Sequence, residues 1–198
     1  MDPPAALHST AREISPPTPK TPIWTLQGFL PTIGVILGTV TVIALVDGER
    51  FLDWTLLAFA YLLTPIGQEA WLITGPTLFQ RTVWEILLFL FAIDTAVACF
   101  FVYGVDPAAL VRRFPKVGRR IERFHAKVAQ SKLARIGLPL ALAVILLMPV
   151  HTGGAVIGSI TGSTLGLQKP VTLTCVLVPI LVRFLIAAGV ITAFLSLL

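Results

Sequence analysis

Glu69, Asp94, His151 and Arg183 lie inside long apolar stretches of this 198-residue chain. An ionisable side chain at membrane depth is costly, so each of the four is a candidate for proton or substrate handling. Glu69 follows the interruption Thr64-Pro65-Ile66-Gly67-Gln68, and His151 follows Pro149, so both stand beside a break in an apolar run. A partly desolvated carboxyl at such a break is poorly placed for packing and well placed to cycle a proton. The plain reading of His151 is a hydrogen bond to a backbone carbonyl, but an imidazole also titrates near neutral pH. Asp94 and Arg183 fall midway along two further apolar runs. A structural ion pair is their simplest reading, because a lone buried charge is far more costly than a paired one. The functional reading makes Arg183 the anchor of an anionic substrate group and Asp94 its counter-ion. Glu85 lies nearer a run's end and can snorkel. Gln68, Thr74, Thr152 and Ser159 are expected to supply further polar lining.

Enzymatic readings find less support. Ser159, His151 and Asp94 have the residue types of a nucleophilic triad without any supporting spacing. The single His and Glu residues lack metal-ligand spacing, and Cys99 and Cys175, both in apolar stretches, offer no disulfide framework. We expect no enzyme, no cofactor and no bound metal.

The elements that position these groups follow from composition. With 56% hydrophobic and 13% charged residues and a mean hydropathy of +0.88, the chain reads as an integral membrane protein. Residues 1–27, polar and Pro-rich without an evident cleavage signal, are expected to form a disordered cytoplasmic tail. Residues 28–105 form a first transmembrane half. It holds a span at 28–46, a charged turn at Asp47-Gly48-Glu49-Arg50, an interrupted stretch at 54–80 and a second span at 82–105. The interrupted stretch is too short for two crossings and is expected to dip in and return.

Nine of the fifteen Lys and Arg residues lie between 106 and 135, opposed only by Asp106 and Glu122. Because this basic segment separates two apolar blocks, the positive-inside rule places it in the cytoplasm, and nucleic acid is not expected as a partner. Leu110, Phe114, Val117, Ile121, Phe124 and Val128 make one apolar stripe, so 106–135 reads as a basic interfacial helix ordered from near Pro115.

Residues 136–198 form the second transmembrane half: an apolar run broken at Pro149, a return helix to Lys169-Pro170, and a last span. On the return helix Gly154, Gly158, Gly162 and Gly166 recur every fourth residue, a bare face for close helix packing. About fifteen helical residues reach only ~22 Å, short of a ~30 Å hydrocarbon core. Leu63-Thr64-Pro65 and Leu147-Met148-Pro149 occupy the same place in each half. The expected fold is an all-α membrane protein with inverted-repeat architecture: two re-entrant hairpins, about three full transmembrane helices and one basic interfacial helix. With 106–135 in the cytoplasm, the first hairpin enters from outside, the second from the cytoplasm, and the N-terminus is cytoplasmic.

Pro149, Gly153-Gly154-Ala155, Gly158-Ser159 and Leu165-Gly166 resemble the second hairpin of the small multidrug export protein family, which is distantly similar to the DedA and VTT-domain membrane proteins. The resemblance covers roughly residues 60 to 190. It implies facing re-entrant hairpins, proton-linked acids in the first hairpin, a bacterial cytoplasmic membrane, and transport of lipids or amphipathic cations. Gly67-Gln68-Glu69 and Gly75-Pro76 keep the family's acid, Gly and Pro but lack its Arg, and His151 stands where the family has a small residue or proline.

The expectation is therefore a small proton-coupled transporter that exports or flips an amphipathic or lipid-like substrate, with membrane lipids, a second copy or a larger membrane complex as partners. A flippase for a lipid phosphate would use Arg183 and the loop arginines on the headgroup. The alternative class is a non-transporting accessory subunit docking through its glycine-faced helix.

Overall fold

The computed structural model describes residues 26–63, 68–130, 137–147 and 154–197. They are helical, and no strand occurs among the described residues. Helix α1 (Leu26–Asp47) leads through a 3-10 turn (Gly48–Arg50) into α2 (Phe51–Leu63), followed by α3 (Gln68–Phe79) and α4 (Val83–Cys99). A π-helical turn, Phe100–Gly104, extends α4. Then come α5 (Pro107–Arg113), α6 (Pro115–Ala129), α7 (Leu138–Leu147), α8 (Gly154–Thr164) and α9 (Lys169–Leu195).

Among the described residues, three helical stretches are long and apolar enough to cross a membrane: Phe29–Leu63, Val83–Gly104 and Lys169–Phe194. The first reverses direction at its 3-10 turn. Phe29 of α1 packs edge-on against Phe100, 5.4 Å between ring centroids, while Asp47 at the other end of α1 pairs with Arg81, just before α4. Thus α1 runs antiparallel to α4. Helix α2 runs the other way, because Trp54 lies 4.8 Å from Phe89 and Tyr61 reaches Asp94.

Local chemistry sets the boundaries. Gln80, in the left-handed region at φ 53°, ends α3. Thr82 and Glu85 then start α4 with a capping box: Thr82 N donates to Glu85 Oε2 at 2.8 Å, and Glu85 N donates to Thr82 Oγ1 at 3.2 Å. Glu85 is thereby accounted for as a helix starter. Pro31, Pro76 and Pro179 stand inside helices, which apolar packing against neighbouring helices tolerates.

The main core joins α2, α3, α4, α7 and α9 through fully buried residues including Leu57, Leu72, Ile86, Leu90, Leu142, Ile180 and Phe184. A second cluster of Val105, Ala109, Leu110, Ile121 and Ile160 seats α5 and α6 on α8.

The expected apolar stripe of the basic segment divides here. The helix breaks at Phe114, which is exposed, and ordered α6 starts at Pro115 with proline in the first turn. Ile121 and Val128 are buried against the protein's own helices, while Lys116, Arg119 and Arg123 stay exposed. Leu110, Ile121 and Val128 therefore pack inward, Phe114 does not, and the described basic side chains Lys116, Arg119 and Arg123 remain outward.

Candidate functional site at the α4–α9 contact

Helices α4 and α9 pack antiparallel. Lys169, first in α9, lies over the Tyr103 ring at 5.4 Å, beside the end of the α4 extension, and midway along both helices Arg183 acts electrostatically on Asp94. Asp94 is 4% exposed, buried within the apolar stretch Val83–Gly104. Its Oδ1 accepts a hydrogen bond from the Tyr61 hydroxyl at 2.9 Å. A buried carboxyl needs such partners, since isolation would cost several kcal/mol. Three helices thus converge on one acid: α4 carries it, α2 supplies the hydroxyl and α9 the positive charge.

Tyr61 does not figure in the sequence reading, although a signal for it exists. A phenol in an otherwise apolar helix must find a partner for its O–H when buried, and Asp94 is at hand.

The short helices α3 and α8 begin near this level. In α3, Gly75 faces Ile86, with 3.3 Å between an ideal Cβ at Gly75 and Ile86 Cγ2. Counting back along antiparallel helices from this contact sets the first turn of α3, and the backbone of Glu69, level with the stretch of α4 around Asp94. In α8, Gly158 faces Leu146 and Val176, and Gly162 faces Leu142 and Thr172. The same counting sets Gly154 level with Ile180, one turn before Arg183. The side chains of Gln68 and Glu69, and the whole of His151 and Thr152, lie outside the described residues.

Of the remaining expected lining, Ser159 is fully buried, whereas Thr74 is exposed and gives its hydroxyl to Ala70 O at 2.8 Å. Trp71 Nε1, Ser159 Oγ and Thr161 Oγ1 are buried without a hydrogen-bond partner among the described residues. Polar atoms of that kind are uncommon in a folded interior and are ready contacts for water or a ligand.

The glycine row closes at two of its four positions. A Cβ at Gly158 would stand 2.8 Å from Leu146 Cδ1, and one at Gly162 would stand 2.5 Å from Thr172 Cγ2. A Cβ at Gly154 would meet nothing within 4 Å. Gly166 lies past the end of α8 in a left-handed turn at φ 74°. The four-residue period extends beyond the helix that gives it meaning, so Gly154 and Gly166 are not part of the packed face. That face is filled by α7 and α9 of the same chain.

At the opposite end of α4, Asp47, Trp54 and Arg81 form a clasp. Arg81 pairs with Asp47, Trp54 Nε1 donates to Asp47 Oδ2 at 3.0 Å, and the guanidinium lies 5.0 Å over the Trp54 ring. The clasp ties the α1–α2 corner to the α3–α4 turn.

Comparison with protein-family models, curated proteins and solved structures yields no match.

Proposed function

We propose that the chain is a small proton-coupled membrane transporter for an amphipathic or lipid-like substrate, working through two hairpins that dip from opposite faces. The observation that carries this reading is the burial of Asp94 midway along an apolar helix, held by Tyr61 and facing the charge of Arg183. A protein that only scaffolds gains nothing from carboxylates and a guanidinium at this depth, because an apolar contact would be less costly.

The arrangement of the short helices supports the hairpins. The pair α2–α3 lies along the first half of α4, and α7–α8 lies along the first half of α9, with α4 and α9 antiparallel. Helix pairs of 13 and 12 residues and of 10 and 11 residues reach only ~15–20 Å at 1.5 Å per residue, about half a hydrocarbon core. An inverted repeat with its breaks at the midplane is the layout of many secondary transporters. In this reading Glu69 carries the proton, His151 is a second titrating group, and Arg183 contacts an anion or balances Asp94. The basic segment 106–135 faces the cytoplasm, so the N-terminus does too. The resemblance to small multidrug exporters favours a bacterial cytoplasmic membrane.

Internal packing at Gly158 and Gly162 favours transport over the accessory-subunit alternative, since the glycine face is taken by the chain's own helices. The test is purified protein in sealed vesicles under an imposed pH gradient. Proton movement should depend on added amphipathic cation or lipid. If no proton movement follows any such addition, the reading fails.

A further inference from the structure

We propose that the groove enclosed by α1, α2 and α4 seats one zwitterionic bilayer phospholipid, with an acyl chain along the groove and the headgroup at Arg81, Asp47 and Glu85. This site is independent of the transport reading. Asp94 does not line it, and the groove lies along Ala92, Ile93, Ala96 and Val97 of α4.

The groove holds about 510 Å³, within the ~300–1,000 Å³ usual for ligand sites. Its walls are nearly all hydrocarbon. Of its three threonines, Thr39 donates to Val35 O at 2.8 Å and Thr55 to Phe51 O at 2.9 Å, while Thr32 Oγ1, without a hydrogen-bond partner among the described residues, is buried away from the groove's opening. What such walls recognise is a chain without polar groups. The groove also opens sideways, because Val40, Phe59 and Leu62 on its rim are exposed. Only 6% of the best apolar window of the first candidate span is buried inside the protein, against 44% of the Val83–Gly104 window. An open apolar groove beside such a helix, in a chain of membrane-crossing length, meets acyl chains before anything else.

The polar end chooses the headgroup. A second lobe of about 580 Å³ continues the first, shares Thr39, Ile43, Trp54, Phe89 and Ala92 with it, and ends on Asp47, Arg81 and Glu85. One guanidinium flanked by two carboxylates complements a headgroup that carries one phosphate and one ammonium. A net-anionic headgroup would face two carboxylates with a single cation already paired to Asp47. Trp54 beside the clasp is of the residue type enriched at the headgroup level.

The experiment uses full-length protein purified in mild detergent from membranes containing phosphatidylethanolamine and phosphatidylglycerol, with bound lipid read by native mass spectrometry. Wild type should retain one phosphatidylethanolamine, at least tenfold over phosphatidylglycerol. Ala92→Phe, which puts a ring into both lobes, should lower that occupancy at least tenfold. Glu85→Gln keeps the capping box and should lose the preference between the two lipids. A further measurement needs no variant: delipidated wild type should melt at a higher temperature with added phosphatidylethanolamine and not with phosphatidylglycerol. Absence of bound lipid, equal or greater retention of phosphatidylglycerol, or a dimer that Ala92→Phe converts to monomer would each overturn the proposal.

Discussion

The Tyr61 hydroxyl donates to Asp94 Oδ1 at 2.9 Å, although 33 residues separate the two in the chain. This contact ties the first short helix pair to the middle of α4, and Arg183 from α9 acts on the same carboxyl.

Tyr61→Phe keeps the ring and removes the donor. It should cost ~1–2 kcal/mol, the range for a hydrogen bond to a charged group between apolar helices. Asp94→Asn should cost at least as much, because it removes the negative charge on which Arg183 acts. Arg183→Gln in the same chain should restore part of the loss. Thermal unfolding in one detergent, run as a double-mutant cycle, checks the coupling. Strictly additive losses would mean that Asp94 and Arg183 do not interact.

The glycine row separates into positions that resist a methyl group and one that does not. Gly158→Ala and Gly162→Ala force side chains apart and should each destabilise by ~1–3 kcal/mol. Gly154→Ala meets open space and should be neutral, or stabilising by up to ~1 kcal/mol through helix propensity. Gly166→Ala should cost ~1–2 kcal/mol through its left-handed backbone. Melting temperatures of the four variants give the ranking directly.

The clasp predicts that Arg81→Gln loosens the α1–α2 corner. Loss of the Asp47 pair and of the Trp54 stack should cost ~1–3 kcal/mol. Limited chymotryptic cleavage after Phe51 should accelerate, while Arg50→Gln, at an exposed position, should leave the rate unchanged.

The proposed second hairpin predicts sidedness. Single cysteines at Gln130 and Lys169, in a chain lacking Cys99 and Cys175, should both react with an impermeant thiol reagent from the cytoplasmic face. Labelling from opposite faces would make residues 137–167 a true crossing and end the inverted-repeat reading.

Much of the element order is legible in the sequence, because long apolar runs and their breaks report it directly. The runs at 28–46 and 82–105 correspond to α1 and extended α4, and the interruption near Pro65 separates α2 from α3. The acid and the base of the site are legible too, since Asp94 and Arg183 stand out against apolar neighbours. The pairings Tyr61–Asp94 and Asp47–Arg81 are not, because a phenol in an apolar helix signals only that it needs a partner, and nothing in spacing along one helix reports which residue of another helix lies opposite. The glycine period over-reads for a related reason: a period shows which residues share a face, whereas packing depends on what stands across from each. The apolar stripe of the basic segment is open in the same way, as amphipathicity does not distinguish a bilayer from the protein's own α7 and α8, against which Ile121 and Val128 of α6 pack.

The most direct test of proton coupling is the flux of Glu69→Gln. This variant keeps shape and hydrogen-bonding capacity but cannot alternate between charged and neutral forms. In vesicles with an imposed pH gradient and an amphipathic substrate that moves protons with wild type, Glu69→Gln should insert and melt like wild type. Its gradient-driven flux should fall at least tenfold. Full gradient-dependent activity in Glu69→Gln would contradict the assignment of Glu69 as proton carrier.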